Sequence, residues 1–308
     1  MTSKYWDDFE KRIDETVSCI KNDIEVPTRR VAVFITNKCN FRCKYCNVSF
    51  DDKEMTQKTF ESLVEKYGKE ALIHITGGEP STVRWLYPFI DSCEGVRFHL
   101  NTNAFLTPPK NVKRLKVSLD TNNKQHFEHL VSHIASFDRV VNNIKEATEN
   151  TIVSITCVLS KQTYLQAPEF MSWCREQFPK LYAVFFSCYK GTNEYFAMNE
   201  ADAEHFFTKT KPKLEERMDV ESLALFKETY DQKLRMFGNQ RFPENKNSLC
   251  YLSMSERVID YNGEVYRCSH LFRDGIKRNT SEKHEKCISG CNRRLIKFNE
   301  DVENKLKS

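Results

Sequence analysis

Three cysteines on one short loop constrain this chain more than any other feature in it. Cys39, Cys43 and Cys46 stand in Ile35-Thr-Asn-Lys-Cys-Asn-Phe-Arg-Cys-Lys-Tyr-Cys46, spaced Cys-x3-Cys-x2-Cys directly after the apolar run 31–35. Thiolates this close can converge on one metal centre, but zinc and iron–sulfur sites normally take four protein ligands. A [4Fe–4S] cluster held by three cysteines leaves one iron open to a ligand that is not protein. A zinc knuckle, or three ordinary thiols, are the competing readings of the same spacing.

The rest of the composition narrows the setting. A chain of 308 residues forms one large domain, or one domain with a small appendage. Its hydrophobic fraction of 40% and charged fraction of 29% are those of a globular protein. The 47 basic and 43 acidic residues nearly balance, which argues against nucleic acid, because phosphate backbones call for clustered basic residues. The first thirty residues carry Asp7, Asp8, Glu10, Asp14 and Glu15 and no apolar core, unlike a signal peptide. No run approaches the roughly 18 apolar residues of a membrane span. Twelve cysteines without a secretory signal point to a reducing, cytoplasmic setting in which thiols serve metals rather than disulfides.

Periodicity predicts an α/β fold. An amphipathic helix over 4–24, with Trp6, Phe9, Ile13, Val17 and Ile20 on one face, ends at Pro27. Apolar runs at 31–35, 71–76, 96–100, 114–119, 152–159 and 182–187 read as strands. Helical patterns at 56–67, 82–92, 122–149 (one helix or two) and 163–177 separate them. Strands alternating with helices imply a parallel sheet with crossovers. The length before residue 190 allows six such units, hence an open partial (β/α)6 barrel with its sites at the C-terminal ends of the strands. The expected divisions are an N-terminal helical extension (1–29), the barrel (30–190), a helical connector (191–249) and a small cysteine-rich module (250–308). The connector is read from Leu223, Phe226, Tyr230, Leu234 and Phe237, with Gly238 as a stop.

A second motif, Thr76-Gly77-Gly78-Glu79-Pro80, follows the second strand. Paired glycines let backbones approach closely, and proline stiffens the exit. With the cysteine loop after the strand before it, the pair resembles the signature of radical S-adenosylmethionine (SAM) enzymes. In that family the open iron is chelated by the amino and carboxylate groups of SAM, and an electron from the cluster cleaves SAM to a 5′-deoxyadenosyl radical. The resemblance implies that Tyr45 lies beside the adenine and that Gly77, Gly78, Glu79 and Pro80 meet the SAM amino group. It also implies that Asn103 and Ser118, at the ends of strands three and four, reach the SAM carboxylate, its ribose or the substrate. Capping and turn chemistry is the alternative for both, and for Asp120. Cys188, at the end of strand six, is either a hydrogen-atom donor at the mouth or a buried thiol. Cys19, Cys93, Cys157 and Cys174 read as core or surface thiols, and the histidines show no ligand spacing.

The tail holds Cys250, Cys268, Cys287 and Cys291, with an Asn262-Gly263 turn between two strand-like runs in 258–268. A helix is expected over 290–306. The spacing Cys-x12-Gly-x4-Cys, then Cys-x3-Cys, resembles the twitch module, the shorter relative of the SPASM domain, and implies a second [4Fe–4S] cluster. A structural zinc site is the alternative. The implied activity is that of an oxidoreductase: hydrogen abstraction, then transfer of an electron to the auxiliary cluster, giving a two-electron oxidation of a small sugar- or cyclitol-like intermediate. The fourth tail cysteine and an end without Gly-Gly disfavour the molybdenum-cofactor cyclase. Modification of a ribosomal precursor peptide, by crosslinking or epimerisation, is the alternative, and no leader-binding segment fits before residue 30. The expected partners are the substrate and an external one-electron reductant of flavodoxin or ferredoxin type, with no membrane and no nucleic acid. A non-catalytic zinc-binding module is the reading from another class.

Overall fold

Each of the expected strands forms, and each divides its side chains between two environments. The computed structural model describes residues 4–46, 48, 50–189, 191, 193–229, 249–266, 268, 269, 272 and 293–308. Within them β1 (Arg30–Phe34), β2 (Leu72–Thr76), β3 (Arg97–Thr102), β4 (Arg114–Ser118), β5 (Ile152–Leu159) and β6 (Ala183–Cys188) pair in parallel in sequence order. Val33, Ile75, Leu100, Val117, Ile155 and Phe186 point to one face, as the two-residue period of a strand requires. That face is covered by α2 (Gln57–Tyr67), α3 (Leu86–Ser92), α4 (Lys124–Val131), α5 (Phe137–Asn150) and α6 (Ala167–Gln177). Their core side chains include Phe60, Ile90, Phe127, Ile144 and Phe170. Because the crossover helices pack on one face, the sheet curls and its other face becomes a concave lumen, as in a partial barrel.

The stretch expected to be helical over 122–149 divides into α4 and α5. Ser132 (φ 53°) and Ala135 (φ 57°) both adopt the left-handed conformation, which ends a right-handed helix. In 191–249 the described residues form α7 (Glu200–His205), a π-helical turn (Phe206–Thr210), α8 (Lys211–Glu215) and α9 (Val220–Thr229). Tyr230, Leu234, Phe237 and Gly238 lie outside the described residues.

The tail is joined to the barrel rather than hung beside it. After α10 (Leu252–Ser255), β7 (Glu256–Ile259) pairs in parallel with β1, in the register Arg30↔Glu256 to Val33↔Ile259. β8 (Val265–Tyr266) then returns antiparallel through the expected turn, where Gly263 takes φ 82° and donates to Asp260 O at 2.9 Å. The sheet of the described residues therefore has eight strands in the order β6-β5-β4-β3-β2-β1-β7-β8. The last helix, α11 (Arg293–Lys307), packs on α1 (Lys4–Lys21), with Ile13, Val17, Phe298 and Val302 buried together beside Tyr251 and Leu252. Among the described residues no helix is long and apolar enough to cross a membrane.

Since β7 covers the edge of β1, a chain ending at residue 249 should expose an unpaired strand of buried character and associate through it. Size-exclusion chromatography and thermal melting should find aggregated or non-cooperative protein. A monomeric truncation with a sharp transition would show that the barrel stands without its tail.

Candidate metal and cofactor site

β1 runs straight into the cysteine loop, and hydrogen bonds from several directions fix the course of that loop. Ile35 N donates to Thr76 O (2.9 Å), and Thr36 Oγ1 donates to Lys53 O (2.7 Å) while accepting from Lys38 N (3.0 Å). Farther along, the amides of Arg42 and Lys44 donate to the carbonyls of Val131 (3.0 Å) and Leu130 (2.9 Å). Those carbonyls belong to the last turn of α4, which has no intrahelical donors left for them, so the loop caps the helix. Phe41 buries beneath the loop against the rings of Phe105, Phe127 and His133.

The glycine motif closes on this loop from β2. Gly78 N donates to Thr36 O and Glu79 N to Lys38 O, each at 2.7 Å. A Cβ on Gly78 would collide with the Lys38 carbonyl and stand 2.8 Å from Asn37 O. Gly77, at φ 144°, has the Thr36 carbonyl where its Cβ would be. The chain that crowds both glycines is the cysteine loop, so their first effect is to seat one loop on the other. Pro80 is buried and opens the short 3₁₀ turn Pro80–Thr82.

Glu79 is 1% exposed, and its carboxylate accepts from Thr102 Oγ1 (2.7 Å), Asn103 N (2.7 Å) and Ser81 N (3.0 Å). Burial raises its pKa, and these donors oppose the rise. These bonds tie the glycine loop to the end of β3. Asn103 extends the network, donating from Nδ2 to Asn40 Oδ1 (2.7 Å) and accepting from Phe105 N (3.0 Å). Ser118 is exposed at the end of β4, in register with Thr156.

Tyr45 donates its hydroxyl hydrogen bond to Asp120 and meets Phe196 edge-on at 5.9 Å. Asp120 is 3% exposed, also accepts from Val158 N (2.7 Å), and is pushed up to about 6 by burial. Sequence reasoning left Asp120 among ordinary turn residues. Its position two residues past the end of β4 gives no sign of the tyrosine it meets.

Among the described residues no three His, Cys, Asp or Glu side chains gather around a point that suits a single metal ion. A cubane asks for something different, because each cysteine binds its own iron at a separate corner. The donor set suits such a centre, since Cys39 and Cys46 both lie within electrostatic reach of Cys43. Burial pushes Cys39 up to about 11 and raises Cys43 as well, so their thiolates call for compensating metal charge. Phe41 N already donates to Cys39 Sγ at 3.4 Å, a bond that favours the thiolate.

Residues 33–174 match the Radical SAM superfamily. The "Probable GTP 3′,8-cyclase" of Methanocaldococcus jannaschii is 27% identical over 167 residues, 48% of this chain and 55% of that protein. The GTP 3′,8-cyclase of Peptoclostridium acidaminophilum is 32% identical over 136 residues, 37% of this chain and 41% of that one. The chain thus spans about half the length of the named relatives it matches. Among solved structures, SuiB of Streptococcus suis bound to the precursor peptide SuiA superposes with a TM-score of 0.59 at 17% identity, over 92% of this chain and 69% of that one. The anSMEcpe protein with bound AdoMet and Cp18Cys peptide gives 0.56 at 15% identity, over 92% and 84%. At such identities the likeness is one of fold. Over residues 33–174 the barrel resembles that of the Radical SAM superfamily.

In this barrel Cys188 does not face the mouth. It is 3% exposed and belongs to the core cluster with Val184 and Phe186, because β6 runs to residue 188 and parity sends alternate residues to the helices. Of the two readings of Cys188, the buried thiol fits its position and the hydrogen donor at the mouth does not; Ser187 takes the opposite face. Cys250 is half-buried beside the packing of α1 and α11, and Cys268 is half-buried after β8. Cys287 and Cys291 lie outside the described residues.

Two substitutions test the loop-on-loop architecture of this site. Gly78→Ala should lower the iron bound at the triad, as read by iron content after anaerobic reconstitution, because Lys38 must move to admit the methyl group. Glu79→Gln places an amide donor opposite three donors and should cost roughly 1–3 kcal/mol in urea unfolding. Unchanged stability in that variant would contradict the network.

Proposed function

We propose that this chain is a radical SAM oxidoreductase that performs a two-electron oxidation of a small, sugar- or cyclitol-like biosynthetic intermediate. The observation that supports this most is the seating of Gly77–Pro80 on the loop of Cys39, Cys43 and Cys46 at the mouth of the barrel. Those three cysteines would hold one [4Fe–4S] cluster, and Cys250, Cys268, Cys287 and Cys291 a second. With SAM bound, the first cluster would supply the deoxyadenosyl radical that removes a hydrogen atom from substrate, and the second would accept the electron that completes the oxidation. An external one-electron reductant of flavodoxin or ferredoxin type would reduce the first cluster.

The chain's own residues have separable parts in this reading. The backbone of Gly77, Gly78 and Glu79 lines the SAM position while the Glu79 carboxylate holds β3 in place from behind. Asp120 fixes the Tyr45 ring by its hydroxyl, so the face of that ring is presented in one orientation for adenine. Asn103 is braced against Asn40, and Ser118 offers a hydroxyl at the exposed end of β4. The polar rows of the concave face favour a small polar substrate over a peptide, the class bound in the SuiB and anSMEcpe structures.

Anaerobically reconstituted protein should hold about eight irons, four per cubane. Reduced with dithionite, it should convert SAM to 5′-deoxyadenosine. Cys43→Ala should abolish that product and keep only the iron of the tail. Intact iron loading with no 5′-deoxyadenosine would refute the catalytic reading, and loss of all iron in Cys43→Ala would refute a separate tail cluster. With substrate in hand, the product should be lighter by two hydrogens.

A further inference from the structure

Parallel strands covered on both faces normally read as continuous apolar runs, yet β2 to β4 carry His74, His99, Asn101, Arg114 and Lys116 at alternate positions. These residues face the lumen, opposite the core positions Ile73, Ile75, Phe98, Leu100, Leu115 and Val117. Part of this wall is a directed chain of hydrogen bonds. Arg30 donates to His74 Nδ1 (2.5 Å); a guanidinium only donates, so Nε2 carries the proton and donates to Asn101 Oδ1 (3.1 Å). Asn101 Nδ2 then donates to Thr76 Oγ1 (3.3 Å). The wall is thereby held in one arrangement, with His74 in a single tautomer.

Positive charge gathers around that wall. His99 is pushed down to about 3 by burial first, then by Arg114, Arg30 and Arg97, and His74 is lowered by burial, then by Arg30, with Lys116 also contributing. The acids facing these groups are Glu256, which accepts from Arg30 (3.2 Å) and Arg12 (3.0 Å), and Glu221, which accepts from the Tyr182 hydroxyl (3.0 Å). Arg97 donates to Glu70 O (2.5 Å) at the foot of β3. Arg114 and Lys116 stand two residues apart on one face of β4, about 7 Å along the strand. Lys116 Nζ stands 5.0 Å from the ring centroid of Phe185 on β6, while the Arg114 guanidinium carbon lies 4.8 Å from the Tyr182 ring and 5.7 Å from that of Phe185, and Arg114 donates to Ser154 Oγ (3.2 Å).

One row higher a hydroxyl points into the same space. Thr156 Oγ1 is buried with no hydrogen-bond partner, in register with Ser118 on one side and Phe185 on the other. The register places Lys116 beside Asn101, level with Thr76 and Phe34, so this patch lies about one row beneath the start of the cysteine loop. Cations on a concave, partly desolvated wall raise the potential for an anion, and Lys with Arg supplies a point charge and a planar fork. A phosphate monoester, with up to two charges and three acceptor oxygens, matches two cations and two hydroxyl donors better than a carboxylate does.

We propose that the lumen contains a phosphate subsite, in which Lys116 and Arg114 with the hydroxyls of Ser118 and Thr156 hold the phosphate group of a small phosphorylated substrate. The rest of that substrate extends upward to the cysteine loop. The proposal rests on the radical SAM reading for the substrate role, but its binding chemistry is tested apart from catalysis. Calorimetric titration of inorganic pyrophosphate into anaerobically reconstituted protein, at constant ionic strength, should show one saturable site. Lys116→Ala should weaken it roughly ten- to hundred-fold, as loss of a charged hydrogen bond predicts. Lys58→Ala, on the exposed face of α2, should leave it unchanged. Lys116→Gln serves if the alanine variant melts early. No saturable binding, equal binding by the Lys116 variants, or malonate binding as tightly as pyrophosphate would overturn the phosphate assignment. Intact 5′-deoxyadenosine formation alongside absent anion binding would refute the subsite alone. Anion binding in a protein that never cleaves SAM would refute the catalytic reading and the substrate role with it.

Discussion

The contact between the glycine loop and the cysteine loop is the constraint on which the rest of the structure depends. Two amide hydrogen bonds of 2.7 Å join the loops, and Gly78 has no room for a side chain because the Lys38 carbonyl occupies that space. Behind the contact the buried Glu79 carboxylate gathers Ser81, Thr102 and Asn103, and Asn103 returns to the cysteine loop through Asn40. A buried carboxylate is costly unless its oxygens are satisfied. Here that requirement makes Glu79 a rivet between the ends of β1, β2 and β3. The far side of the cysteine loop is held independently, by the last carbonyls of α4. A triad on an otherwise irregular loop is thus held from both flanks by hydrogen bonds within the chain, which lowers the conformational cost of closing it around a cluster.

The same barrel separates a metal-facing rim from a polar interior. The rim is built from strand ends and loops. The interior is built from alternate strand residues whose neighbours make the core. Sheet pairing ties the two together, because the hairpin that carries the tail toward Cys268 pairs with β1, the strand that delivers the cysteine loop. The ion pairs of Glu256 with Arg12 and Arg30 reinforce the same seam.

Much of this was legible in the chain. Six strand positions were found within one or two residues, because buried parallel strands leave short apolar runs between turn residues. The cysteine spacing and Gly77-Gly78-Glu79-Pro80 were legible because each is contiguous. What escaped was parity and partnership. Taking the sixth strand one residue early placed Cys188 beyond its end and at the mouth, whereas the true strand includes it and turns it into the core. Asp120 looked like a turn residue until Tyr45, 75 positions earlier, came to rest against it. The alternating Arg114, Lys116 and Ser118 carried a readable signal of a polar lumen, since covered parallel strands seldom alternate so strongly.

The sequence by itself determined the element order, the α/β class and the residues available for a metal centre, since those follow from local periodicity and from short covalent spacing. The tertiary structure alone decided which groups meet. It turned the Glu79 carboxylate onto residues 23 and 24 positions away, paired β7 with β1 across more than two hundred residues, and directed the cations of β4 toward Phe185 of β6. Such contacts depend on how helices and strands settle against a shared core, and no local pattern of residues encodes that settlement.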